Sequence, residues 1–314
     1  MEPTTATEHL QAADACHDDD PAHGAALLRR IDPTALDPGQ RPLYAFLLNH
    51  VLAEKLHLPG EAWQHQQALL AAAGPDTPLP LLRHAGAAAR LAGDAAAEAQ
   101  LAERLAASAN ASAAQAGELL ALAATSFTVP GLAGAQAGDA ALEAMSPLRG
   151  GAWHQASGLD AAAAALTSNL ASGLAEERSP AELLLPSVRE AAHEAAAHAQ
   201  ALWQRAGQWV QHERAHYLRA LVANAIGETP LAEQQARAGL TLLDNHDTEH
   251  AESVDRAFLL LELSHALARQ GQAAEASLAR AQADALADAF DDSGLTAWFT
   301  GRVARQAALD DAAR

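Results

Sequence analysis

The stretch "LLELSHALARQGQAAEASLARAQADALAD" (residues 260–288) carries the decision about fold. Leu260, Leu263 and Leu267 recur at intervals of three and four, the spacing that lines one face of an α-helix. Gly271 then breaks the pattern, and a second alanine-rich period follows. A helix, a glycine turn and a second helix make an antiparallel hairpin, since a short loop leaves consecutive helices as neighbours. Two other stretches share the layout: "LLRHAGAAARLAGDAAAEAQLAERLA" (81–106) and "YLRALVANAIGETPLAEQQARAGLTLLD" (217–244).

Composition extends this reading to the whole chain. Half of the 314 residues are hydrophobic but only 4% are aromatic, and there are seven valines and two isoleucines. Strands draw on aromatic and β-branched side chains to fill a pleated surface, and this sequence offers few. Alanine and leucine lose little freedom on entering a helix, so the chain is expected to be all-α. The period predicts fifteen helices, near 5–16, 21–31, 41–57, 60–73, 79–92, 95–109, 112–127, 135–146, 155–176, 181–206, 210–226, 229–243, 250–270, 272–290 and 294–309. Asp94 and Ser179 stand where helix N-caps are expected.

The three quoted stretches resemble the tetratricopeptide family. Its repeat sets a small residue in the first helix, a glycine at the turn and an alanine in the second helix. Ser264, Gly271 and Ala276 take those places in the last stretch, and Ala220, Gly227 and Ala232 in the one before. There Arg219 and Ala223 replace an expected leucine and aromatic, and Gly227 and Gly271 lie 44 residues apart where the family repeats every 34. The implied fold is an α-α superhelix, a solenoid of TPR-like antiparallel hairpins of irregular length. Glycines crowd between Pro130 and Leu159, so the expected organisation is an N-terminal lobe over 1–130, a glycine-rich connection over 131–155 and a TPR-like lobe over 156–314. No G-x-x-x-x-G-K-[ST] accompanies those glycines, and "GGAWH" (150–154), with Trp153 and His154, reads as an exposed contact loop.

A net charge of −19 with one lysine, Lys55, excludes nucleic acid as the expected partner, because polyanion binding relies on Lys and Arg to displace counterions. Cys16 is the only cysteine, so neither an internal disulfide nor a thiolate zinc cluster can form. No strongly apolar stretch is long enough to span a membrane, and the polar start "MEPTTATEHLQ" lacks a secretory pattern, so a cytoplasmic location is expected.

Two metal-site patterns compete with a scaffold. His212, Glu213 and His216 spell H-E-x-x-H, and His246, Glu249 and His250 spell H-x-x-E-H. Each would project two imidazoles from one helical face, with a glutamate placed to act as general base. Proteases of the first type also present an edge strand to the substrate, and this chain lacks strand-forming residues. Both motifs are therefore read as surface histidines, with no cofactor expected and a zinc-dependent hydrolase kept as the alternative. Asp18 to Asp20 read as solvated turn and cap residues.

The resemblance implies a concave face formed by the first helices of successive hairpins, gripping a peptide or partner helix. Carried onto this sequence it selects Arg214, Tyr217, Leu221 and Asn224 from one unit and Phe258, Leu261, His265 and Arg269 from the next. Asn169 joins them from a similar N-L-A context, and Asn49 more weakly. The expected function is a noncatalytic adaptor or scaffold; a domain sensing a peptide or small molecule is a further alternative.

Overall fold

The computed structural model of the protein describes residues 4–249 and 251–312. It is all-α, 79% helical, with no strand among the described residues. Among the described residues fifteen α-helices follow one another: α1 (Ala6–Cys16), α2 (Pro21–Leu28), α3 (Arg41–Leu47), α4 (Pro59–Ala73), α5 (Leu79–Leu91), α6 (Ala95–Ala109), α7 (Ala113–Ser126), α8 (Ala135–Met145), α9 (Asp160–Glu176), α10 (Pro186–Ala206), α11 (Trp209–Ala225), α12 (Thr229–His246), α13 (Ser253–Arg269), α14 (Ala273–Ala287) and α15 (Ser293–Ala312). A π-helical segment, Leu48–Lys55, continues α3.

The ends of these helices follow local chemistry. Asp94 caps α6 as expected, its side chain accepting from the Ala97 N–H, and Ser112 forms a reciprocal capping box with Gln115. Ser179 does not open α10: it brackets the short turn Glu182–Leu184, and α10 starts at Pro186, whose fixed φ and missing N–H suit a first helical position. Gly93, Gly227 and Gly271, the turn glycines of the three quoted stretches, have φ of 77°, 84° and 78°, which a residue bearing a Cβ adopts at a cost. Each lets its hairpin reverse within a few residues.

The chain divides into two compact units: residues up to Ala133 with Ala144–Ala162, and Gly134–Glu143 with Ala163 onward. In the first, Tyr44, Leu47, Leu48, Val51 and Leu52 bury themselves with Leu10, Leu28, Leu69 and Leu81. Gly86 lets α5 and α7 approach closely; a Cβ there would stand 2.5 Å from the Leu120 methyls. In the second, α11, α12, α13 and α14 pack as consecutive neighbours, and α11 also lies against α13. Their shared core holds Leu243, Phe258, Leu259, Leu261 and Leu267. Burying each such leucine or phenylalanine favours the fold by about 1.5–3 kcal/mol.

Hydrogen bonds tie alternate helices of the second unit together. Gln200 on α10 reaches Gln235 on α12, 35 residues on. Asn224 on α11 reaches Glu262 on α13, and Arg237 on α12 reaches Glu275 on α14, each 38 residues on. In the first unit, Asn49 reaches the His84 carbonyl on α5, 35 residues on.

The glycine-rich stretch corrects one expectation. Trp153 is not an exposed contact residue: it is 2% accessible, and its indole N–H donates to Glu118 of α7 at 2.7 Å. Gln115 of the same helix donates to the Ala152 carbonyl. The glycines let the chain fold the indole inward, where its ring is desolvated and its one donor satisfied.

Candidate functional site

A cleft of about 510 Å³ opens in the second unit beside α11, the start of α13 and α15. Arg214 and Tyr217 line it from α11, Glu252, Val254, Asp255 and Phe258 from around the start of α13, and Leu295 and Trp298 from α15. Phe258 centres its aromatic wall, with the rings of Trp298, Phe299 and Tyr217 at 4.3, 5.5 and 6.0 Å. Trp298 keeps 45% of its surface exposed, so this wall is open to solvent.

The rim is charged. Arg214 Nε donates to Asp255 at 2.8 Å and its Nη2 donates to Glu252 at 3.2 Å, so one cation is shared by two carboxylates. Glu213, next in sequence, is fully buried with neither carboxyl oxygen hydrogen-bonded. Burial first, and the neighbouring Asp255 carboxylate second, push its pKa up to about 9. At neutral pH it is an uncharged acid, which leaves a net negative rim over an apolar wall.

Beneath the cleft runs a buried polar network. Asn224 donates to both the backbone carbonyl and the carboxylate of Glu262, and Arg302 of α15 donates to the same carboxylate at 2.7 Å. Arg302 also stands 3.4 Å from Glu176 on α9. Burial alone would disfavour its charge, but the carboxylates of Glu262 and Glu176 outweigh that and raise its pKa. Arg305 donates to the carbonyls of Ala175 and Arg178. The Tyr217 hydroxyl is buried without a partner, and burial lifts its pKa well above the usual phenol value.

Of the residues selected from sequence, the structure gathers Arg214, Tyr217 and Phe258 at the cleft. Leu221 and Leu261 are 1% and 0% accessible and belong to the core. Asn224 is also buried: the amide expected to grip a peptide backbone grips the backbone of the second helix along, as Asn49 does in the first unit. His265 and Arg269 face Asp310 of α15 at 3.0 and 3.7 Å. Asn169 is exposed on α9, outside the cleft. Sequence reasoning missed Glu252, Asp255, Leu295 and Trp298. The first two lie at a helix start that fits no repeat position, and the others on a helix outside the quoted stretches.

The H-E-x-x-H residues diverge. His216 Nδ1 lies 2.7 Å from Gln235 Oε1, on the side of α11 that meets α12, whereas Glu213 lies beside Asp255 of α13. Burial lowers the His216 pKa. Among the described residues no third histidine, cysteine or carboxylate closes on His212 and His216. In the second motif His246 stacks on Trp209 with ring centres 5.5 Å apart, and His250 lies outside the described residues.

No helix among the described residues is long and apolar enough to cross a membrane. The sequence matches no protein-family model and no curated protein.

Proposed function

We propose that the protein is a noncatalytic, cytoplasmic TPR-like scaffold that takes up a segment of a partner protein in the cleft of Tyr217, Phe258 and Trp298. The cleft itself carries this reading: an open aromatic wall with a net acidic rim suits an apolar anchor flanked by a lysine or arginine. Membership of the TPR-like group is supported by the glycine turns and by bonds that join alternate helices 35 to 38 residues apart, near the family period of 34. Overall charge of −19 favours a basic segment through long-range attraction.

The cleft volume also falls within the range of small-molecule sites, which supports the sensing alternative. One experiment separates the two. A random-peptide display selection on the purified protein should enrich sequences pairing an aromatic or large aliphatic residue with Lys or Arg. Enrichment should vanish for Trp298→Ala and weaken for Asp255→Asn. Failure to enrich any peptide class, or enrichment indifferent to both substitutions, overturns the peptide-binding reading.

A further inference from the structure

We propose that His17, Asp18 and His50 form a binding site for a late first-row divalent metal ion, zinc by preference, independent of the cleft and of any partner bound there. The site lies wholly in the first unit. One ligand atom from each of the three side chains falls within 4.8 Å of the others.

Two local structures bring them together. Helix α1 ends at Cys16, so His17 takes its C-cap and Asp18 falls in the following turn. His50 comes from the π-helical continuation of α3, where the Leu56 N–H bonds the Val51 carbonyl five residues back. Such wide turns recur at functional sites because they re-aim side chains within a helix. Here Asn49 turns inward to the His84 carbonyl while its neighbour His50 meets Asp18.

The hydrogen bonds of both imidazoles fix which nitrogen is free. His17 Nδ1 lies 2.5 Å from the Asp14 carbonyl oxygen, and His50 Nδ1 lies 2.8 Å from Glu54 Oε2. Neither acceptor carries a proton to give, so each Nδ1 donates, and Nε2 is the nitrogen that each ring turns toward Asp18 and can offer to an ion. The separations are 3.4 Å from His17 Nε2 to Asp18 Oδ2 and 3.2 Å from His50 Nε2 to Asp18 Oδ1. Two ligands at about 2.0 Å from a zinc ion at tetrahedral angles stand about 3.3 Å apart; each imidazole lies near that distance from one oxygen of Asp18, and a small turn of the exposed carboxylate brings a single oxygen to both. A proton on His50 Nε2 is favoured by its bonds to Glu54 and Asp18, and a zinc ion entering the site would displace it.

The surroundings complete the pattern. Glu54 is the outer carboxylate that commonly holds a ligating histidine in register, and Phe46 stacks on the His50 ring at 5.3 Å. The Asp18 side chain is 64% exposed, leaving room for water as a fourth ligand. Two imidazoles and one carboxylate favour zinc, cobalt, nickel or copper over calcium and magnesium. Lys55, whose ammonium lies 3.0 Å from Asp18 Oδ1, competes with the ion for that carboxylate.

The test is calorimetric titration of zinc into the full-length, untagged, chelator-stripped protein, repeated with cobalt and read by visible absorption. The wild type should bind one equivalent at this site. His17→Gln and His50→Gln should each remove it, Glu54→Gln should weaken it about 10- to 100-fold, and Lys55→Met should tighten it. Asp18→Asn, which alters only an exposed side chain, stands in should a histidine variant fail to fold by circular dichroism. Absence of binding to the wild type, or binding unchanged by His17→Gln and Asp18→Asn, overturns the proposal.

Discussion

Asn224 Nδ2 on α11 lies 2.9 Å from the backbone carbonyl of Glu262 on α13 and 2.7 Å from that residue's carboxylate. One amide therefore fastens two alternate helices at a position where both residues are buried. Asn224→Ala strips a buried carboxylate of a donor and costs about 1–3 kcal/mol. A urea titration should show a lower midpoint with an unchanged slope. A midpoint within error of wild type would mean that water takes the amide's place.

The Glu262 carboxylate has a second, charged partner in Arg302, 2.7 Å away and itself 4% accessible. Removing one member of a buried pair leaves an uncompensated charge and costs about 3–5 kcal/mol, whereas replacing both with apolar groups is often close to neutral. Arg302→Met and Glu262→Met should each destabilise strongly, and the double variant should lose less than the sum of the two, the remaining loss falling on Glu176, which Arg302 also faces. A double-mutant cycle by chemical denaturation measures the coupling. Additive losses would show that the two residues act separately.

Much of the fold is legible in the sequence because alanine and leucine at helical spacing leave few alternatives, and the hairpin glycines are chemically required where φ is positive. The π-helical turn Leu48–Lys55 is not legible, since no residue in "LNHVLAEK" marks it; tertiary packing around Asn49 and the core leucines imposes it. Trp153 was hidden by its glycine neighbours, which suggest exposure while permitting burial. The repeat register finds Arg214, Tyr217 and Phe258, but Trp298 approaches Phe258 from 40 residues further along the chain, a distance over which local pattern carries no information. Asn224, a poor helix former in mid-helix, does signal that it needs a partner. The letters cannot show that the partner is internal.

Glycines offer a sharper test of packing. Gly138 on α8 faces the Ser187–Val188 backbone, where a Cβ would stand 2.4 Å from the Ser187 carbonyl carbon; Gly117, inside α7, has nothing within 4 Å. Gly138→Ala should destabilise by about 1–3 kcal/mol because backbone cannot step aside as a side chain can. Gly117→Ala should stabilise by about 0.4–1 kcal/mol by restricting the unfolded chain. Thermal melts of the two variants should move in opposite directions, and a shared direction would contradict the α8 contact.

Glu213 makes stability depend on pH in an unusual direction for a carboxyl group. Its pKa rises from 4.5 to about 9 on folding, first through burial and then through Asp255. Below 4.5 the group is protonated in both states and favours neither. Between 4.5 and 9 the unfolded chain has released the proton while the folded one still holds it, so fewer protons are bound on unfolding and stability falls as pH rises. Glu213→Gln keeps the shape and cannot ionise, so it should abolish this share of the decline and stabilise the protein increasingly from pH 5 to pH 9. Denaturant midpoints of wild type and variant at pH 5, 7 and 9 provide the check: the gap between them should widen with pH. A constant gap would show that Glu213 ionises in the folded protein as it does in the unfolded chain.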